Sequence, residues 1–280
     1  MPHTKTSSSA CLHLNLKAWK RIMDLNIKGR TAVVTGGSQG LGFACAQALV
    51  AEGVNIVLAA RDADRLDTAR AMLAQRPGAR VLAVPTDVTD PAQVDALMRR
   101  AKAEFGGVDI CIANAAGPAP TTLAEATRAQ WLAAFEGNLL SIVQLAQSSL
   151  PAMARGGWGR FIAISSVVAK QPMDKMILSN AIRPGVGGLM KTLSNEYGGA
   201  GVTVNNLCPG FFATPRLEKL RACAAADASD LGNPLEHIPA ARVGRPEEFG
   251  ATATFLCSEQ AAYITGVSLV IDGGYHKSWY

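Results

Sequence analysis

The chain has 280 residues, 49% of them hydrophobic and 18% charged, with a formal net charge of +5. That balance excludes a disordered or fibrous protein and suits one compact domain able to bury a large core. Lys and Arg are scattered among Asp and Glu, with no long basic run and no interleaved aromatics, which argues against nucleic-acid binding and for a mild attraction toward small anions such as a phosphate-bearing cofactor.

The six cysteines, Cys11, Cys45, Cys111, Cys208, Cys223 and Cys257, are dispersed. Without a C-x-x-C pair or a histidine cluster they imply neither a metal site nor a disulfide framework, and a reducing cytoplasm is the expected setting. No apolar run nears the roughly twenty residues that a bilayer-spanning helix needs, so no membrane partner is expected.

The first segment, "MPHTKTSSSACLHLNLKAWKRI", is basic, free of acidic residues until Asp24, and lacks the continuous apolar core of a secretory signal. Residues 1–25 read as a disordered leader, with an organelle-targeting segment as the other reading. From Arg30 onward, short β-branched runs alternate with helical patterns. "RTAVVT", "VNIVLAA", "RVLAV", "VDICIA", "RFIAIS", "VTVNNLC" and "VSLVID" read as strands apolar on both faces. The intervening helices are expected over 42–52, 62–75, 90–105, 129–154, 179–197 and 246–257. Asp90-Pro91 supplies an N-cap with proline at the first helical position, and Arg245-Pro246 repeats the proline placement. Strict alternation predicts one doubly wound α/β domain over 26–280, a parallel sheet with helices on both faces. The least regular stretch, Phe211 to Arg242, follows a strand end where such sheets bind ligands; it reads as a substrate lid, or more plainly as a surface insertion.

"TAVVTGGSQGLG" sets Gly36, Ser38, Gln39, Gly40, Leu41 and Gly42 between the first strand and the first helix. Glycine permits a sharp turn and close approach of backbone to a pyrophosphate, while the helix N-terminus offers free N–H groups and the positive end of a dipole. The second strand ends "LAARD". An acidic residue there would accept the ribose hydroxyls of NAD, whereas Ala60 followed by Arg61 offers a guanidinium to a 2′-phosphate, so NADP is favoured and NAD stays possible. An ordinary solvated arginine is the alternative for Arg61.

Taken together these segments resemble the classical short-chain dehydrogenase/reductases, in particular those like 3-oxoacyl-ACP reductases, from about Asn26 to Gly274. "TGGSQGLG" is similar to their TGxxxGxG turn, "TDV" at Thr86 to Val88 to their adenine-contacting segment, and "NAAG" at Asn114 to Gly117 to their sheet-stabilising turn. "VNNLCPGFFAT" matches VNxxxPGxxxT, and "GRPEEFG…YITGVSLVIDGG" their C-terminal signature. The resemblance implies a Rossmann fold and an oxidoreductase acting on a carbonyl or alcohol. It makes Asp87 and Val88 adenine contacts, Asn114, Ala115 and Ala116 ribose-side contacts, and Pro209, Gly210, Phe212 and Thr214 nicotinamide holders. It also implies homodimers or homotetramers.

The same resemblance expects an Asn-Ser-Tyr-Lys proton relay. Asn138 and Ser166 stand at the first two positions, but thirteen residues beyond Ser166 the chain has Ser179, and four further on Arg183. A phenol near pKa 10, lowered by a neighbouring lysine, can protonate a developing alkoxide at neutral pH. A serine hydroxyl is a far weaker and shorter acid, and arginine keeps the charge but cannot pass on a proton. It can hold a carboxylate or stabilise an oxyanion. Halohydrin dehalogenases also carry arginine at the lysine position, but they keep the tyrosine and lose the nucleotide turn, the reverse of this chain. Tyr197 lies some eighteen residues along the same helix, about 27 Å away, too far to substitute. Lys170 and Lys175 could reach the carbonyl only if their loop folds inward. Pro184 is expected to disturb the helix at Arg183 and re-aim that side chain.

Three functional readings follow: an NADP(H)-dependent oxidoreductase with Asn138, Ser166, Ser179 and Arg183 as an altered tetrad, a non-redox lyase or isomerase on the same scaffold, and a catalytically silent nucleotide-binding protein.

Overall fold

The computed structural model describes residues 23–227 and 234–279, with residues 223–227 and 234–235 described by their backbone alone. Most of the expected leader and the centre of the expected lid, residues 228–233, lie outside the described residues.

All seven expected strands form one parallel sheet: β1 (Thr31–Thr35), β2 (Asn55–Ala60), β3 (Val81–Pro85), β4 (Ile110–Ala113), β5 (Gly159–Ile164), β6 (Val202–Pro209) and β7 (Ser268–Ile271), in the spatial order β3-β2-β1-β4-β5-β6-β7. The helices are α1 (Gly40–Ala51), α2 (Ala63–Ala74), α3 (Pro91–Phe105), α4 (Arg128–Phe135), α5 (Ser141–Arg155), α6 (Ile177–Tyr197), α7 (Pro215–Asp227) and α8 (Pro246–Leu256). Successive β-strand residues face opposite sides. Accordingly Ala32 and Val34 of β1 join a core with Leu49 of α1 and Phe249 of α8, while Val33 packs with Leu97 of α3. Further along the sheet Phe161 and Val204 meet Leu145 of α5 and Met190 of α6. Runs that are apolar at every position are what a sheet covered on both faces demands.

Local chemistry sets the helix ends. The Asp90 carboxylate accepts from the amides of Ala92 (2.9 Å) and Gln93 (3.4 Å), Pro91 occupies the first turn, and Gly106 ends α3 in a left-handed conformation at φ 89°. Thr127 and Gln130 cap α4 reciprocally.

Two expectations are corrected. The single helix expected over 129–154 is two, α4 and α5, joined by a π-helical turn at Glu136–Leu140. And Pro184 does not disturb α6, which begins at Ile177 and runs unbroken through it to Tyr197. Proline there removes the N–H partner of the Asn180 carbonyl, but Pro184 lies on the exposed face, where water can take that carbonyl.

Candidate active site

The strand order reverses between β1 and β4, and the crevice at their carboxyl ends is where an open parallel sheet presents a ligand site. The Thr35 hydroxyl ties the two strand ends together, donating to the Asn114 carbonyl and accepting from the Asn114 amide, both at 2.8 Å. The glycine turn opens from this knot. Gly36 (φ +57°) and Gly40 (φ +60°) take left-handed conformations, and a Cβ on Gly36 would stand 2.5 Å from Asn114 Nδ2. Gln39, at the N-cap of α1, makes no side-chain cap, and no acidic residue stands in the first turn. The first amides of α1 therefore keep their hydrogen-bonding capacity and positive dipole end for a ligand.

One cavity of about 780 Å³ runs from this turn across the carboxyl edge of the sheet. Its walls include Gly36, Ser38, Gln39, Gly40 and Leu41 of the turn, Arg61, Asp87, Val88, Asn114, Ala115 and Ala116, then Pro209, Gly210, Phe212 and Thr214, and also Asn138, Ser166, Ser179 and Arg183. Gly42 is the exception among the expected residues. It lies behind the turn, where a Cβ would stand 2.3 Å from the Gly36 carbonyl oxygen, so it lets helix and turn pack closely and does not form part of the wall.

Beside Arg61, Asp62 caps α2 through the Arg65 amide (3.0 Å) and accepts from Arg65 Nε (2.7 Å). The backbone and side-chain hydrogen bonds from Arg65 hold the Asp62 carboxyl below the usual carboxylate range. Arg65 also lines the cavity, a second cation beside Arg61 that sequence reading did not pick out.

The π-turn carries Asn138, whose Nδ2 donates to the Ala134 carbonyl at 3.0 Å. Ser166 follows β5 and its Oγ accepts from the Val168 amide at 3.3 Å, opening a 3-10 turn at Val167–Ala169. Ser179 and Arg183, one turn apart on the inner face of α6, are 4% and 5% exposed. Arg183 Nη1 donates to the Ile164 carbonyl at 3.0 Å and Nη2 to Asn138 Oδ1 at 2.7 Å. Burial foremost, and then the neighbouring Arg216, push the Arg183 guanidinium down to about 10.

The alternatives weighed for a missing acid are not brought in: neither Lys170 nor Lys175 lines the cavity, and the unbroken α6 keeps Tyr197 at its far end. Arg216 was missed. It stands just past the "PGFFAT" segment in the first turn of α7 and lines the same cavity, its Nη2 donating to the Pro118 carbonyl at 2.5 Å. Only its position beside a strand end hinted at this. Among the described residues no group of His, Cys, Asp and Glu could hold a metal ion, and no helix is long and apolar enough to cross a membrane.

Residues 36–276 match the family model described as enoyl-(acyl carrier protein) reductase. The chain is 32% identical over 250 residues to the 3-oxoacyl-[acyl-carrier-protein] reductase FabG of Escherichia coli, covering 89% of this chain and 98% of that one. It is 35% identical over 249 residues to the cis-4-hydroxycyclohexanecarboxylate dehydrogenase of Sinomonas cyclohexanicum, covering 88% and 96%. The crystal structure of L-sorbose reductase from Gluconobacter frateurii, complexed with NADPH and L-sorbose, superposes with a TM-score of 0.85 at 35% identity, over 91% of this chain and all of that one.

Proposed function

From the premise that this chain belongs to the classical short-chain dehydrogenase/reductase family and is an oxidoreductase of that fold, we propose that it is an NADPH-dependent carbonyl reductase with an altered catalytic tetrad. The observation that carries the reading is a shared cavity: the glycine turn before the uncapped N-terminus of α1, Arg61, Ser166, Ser179 and Arg183 all line the same one. Gly36 and Gly40 leave the room that a diphosphate needs, and Arg61 with Arg65 suits a 2′-phosphate. The sorbose reductase, solved with NADPH, supports the same choice of cofactor.

NADPH, when bound, supplies a hydride to the carbonyl carbon of the substrate. The residues of the chain then have to neutralise the oxygen. The Ser166 hydroxyl donates to it, and the Arg183 guanidinium, fixed by Asn138 and the Ile164 carbonyl, stabilises the developing negative charge from a dry position. Asn138 spends its amide on Ala134 and its oxygen on Arg183, so its role is to position the cation. The proton is drawn from solvent through a water held by Ser179, which relays it to the substrate oxygen in the room that a serine leaves where a phenol ring would stand. Monitoring nicotinamide absorbance with a panel of ketones, quinones, imines and alcohols tests this; NADPH consumption with at least one class is expected, and none with any would overturn it. The serine in place of an acidic phenol favours one second reading, a lyase or isomerase, which turnover without any nicotinamide would select.

A further inference from the structure

The face of β6 that packs toward α5 and α6 changes character along its length. Val202 and Val204 belong to the apolar core there, but the next two residues on the same face are Asn206 and Cys208, both wholly buried. Buried polar groups are costly unless they find partners, and these two join a chain. Asn206 Nδ2 donates to Ser268 Oγ on β7 at 3.1 Å and to Cys208 Sγ at 3.4 Å. Cys208 Sγ in turn lies 3.3 Å from Ser165 Oγ, one residue past the end of β5. The Ser165 hydroxyl donates to the Leu207 carbonyl at 3.3 Å, which leaves the thiol as the donor toward Ser165. Burial foremost pushes the Cys208 thiol up, so it keeps the proton that this bond requires.

The chain therefore crosses from β7 through β6 to β5 and stops one residue short of Ser166. Cys208 is not in the cavity wall, but the segments on either side of the contact are: Ser165 and Ser166 after β5, and Pro209 and Gly210 at the end of β6. Stability does not account for the arrangement. Asn206 Oδ1 is buried without a hydrogen-bond partner, a cost that an apolar residue there would not carry. What the chain does hold is the backbone before Ser166. The Val168 amide donates to the Ser166 oxygen and leaves its O–H for the substrate, so the remaining freedom of that hydroxyl lies in how the strand end is set.

Resting on the reductase reading above, we propose that Cys208 is a positioning residue, which fixes through Ser165 the direction in which Ser166 presents its hydroxyl to the substrate oxygen. Misplacing a reacting group by about 1 Å can cost up to about a hundredfold in rate, so a contact outside the cavity is enough to matter.

The test uses the full chain and compares Cys208→Ala with Cys208→Ser. Both lose the sulfur, but only serine keeps a hydroxyl able to donate to Ser165 and to accept from Asn206. Cys208→Ala is expected to lower kcat about tenfold with KM and the Kd for NADPH within about twofold, and Cys208→Ser to recover most of that loss. Ser165→Ala, which cuts the chain from the other side, should lower kcat to a similar extent, and the double variant Cys208→Ala with Ser165→Ala should be no worse than either alone. Equal kcat in Cys208→Ala and Cys208→Ser, or losses that add in the double variant, overturns the proposal. Should Cys208→Ala fail to fold, Ser165→Ala decides, and an unchanged kcat there overturns it. Amide hydrogen exchange at Ser165 and Ser166 gives a readout without turnover: it should quicken about tenfold in Cys208→Ala and stay near the parent value in Cys208→Ser, and equal exchange in the two overturns the proposal. If the parent reduces no carbonyl compound, the reductase reading fails, and the exchange rates still decide whether Cys208 holds the strand end at Ser166.

Discussion

Replacing Arg183 by methionine separates a catalytic charge from a structural one. The substitution removes two charge-assisted hydrogen bonds, to Ile164 O at 3.0 Å and to Asn138 Oδ1 at 2.7 Å. At about 1.5–3 kcal/mol each, their loss costs about 3–6 kcal/mol. Against this, burial and Arg216 hold the guanidinium at about 10, which corresponds to a penalty of roughly 3 kcal/mol on the charged form that methionine does not suffer. The net destabilisation is about 0–3 kcal/mol, a modest shift in Tm for a domain of this size. Transition-state stabilisation has no such offset. Losing a pre-organised cation beside the developing oxyanion should lower kcat by about a hundredfold or more. Chemical denaturation and steady-state kinetics on the same preparation provide both numbers. A variant that retains kcat within about threefold, or that fails to fold, refutes the assignment of Arg183 as a charge kept for chemistry.

Three further outcomes are expected. Gly42→Ala drives a methyl to within 2.3 Å of the Gly36 carbonyl oxygen, a rigid backbone atom, so the turn must move: thermal melting should show a loss of about 1–3 kcal/mol, and fluorescence titration an NADPH affinity lowered at least about tenfold. Arg61→Asp places a carboxylate at the end of β2, and it should raise the Kd for NADPH by about thirtyfold or more while leaving that for NADH unchanged or improved; equal losses for both would show that Arg61 does not read the 2′-phosphate. The pH profile follows from Arg183, a base whose pKa is depressed: it is charged below about 10 and loses its charge as pH rises through that value, so kcat/KM should stay level from neutrality upward and fall only near 10. A break well below that, at the value of an activated phenol or thiol, would point to a different acid.

Much of the fold could be read before any coordinates. The seven strands fall where β-branched runs alternate with helical patterns, and the parallel order follows because each strand is apolar on both faces. The glycine turn is also local chemistry: a backbone that must turn with positive φ next to a strand end uses glycine, as Gly36 and Gly40 do. Ser179 and Arg183, which we propose take the places of a phenol and an ammonium, are likewise found by counting along the letters.

Other features depend on contacts that periodicity does not encode. The π-helical turn at Glu136–Leu140 splits a stretch that reads as one helix, because an inserted residue does not change its apolar count. Pro184 keeps its helix because it faces outward, a matter of how α6 docks and not of proline's own preference. Arg216 looked like any charged residue at a helix start until the Pro118 carbonyl drew it into the cavity. The sequence by itself determined the sheet and the glycine turn, since each depends on the covalent character of near neighbours. Only the tertiary structure decided that Arg183 is buried with no carboxylate within ion-pair distance among the described residues, because charge pairing is set by distances between segments far apart in the chain.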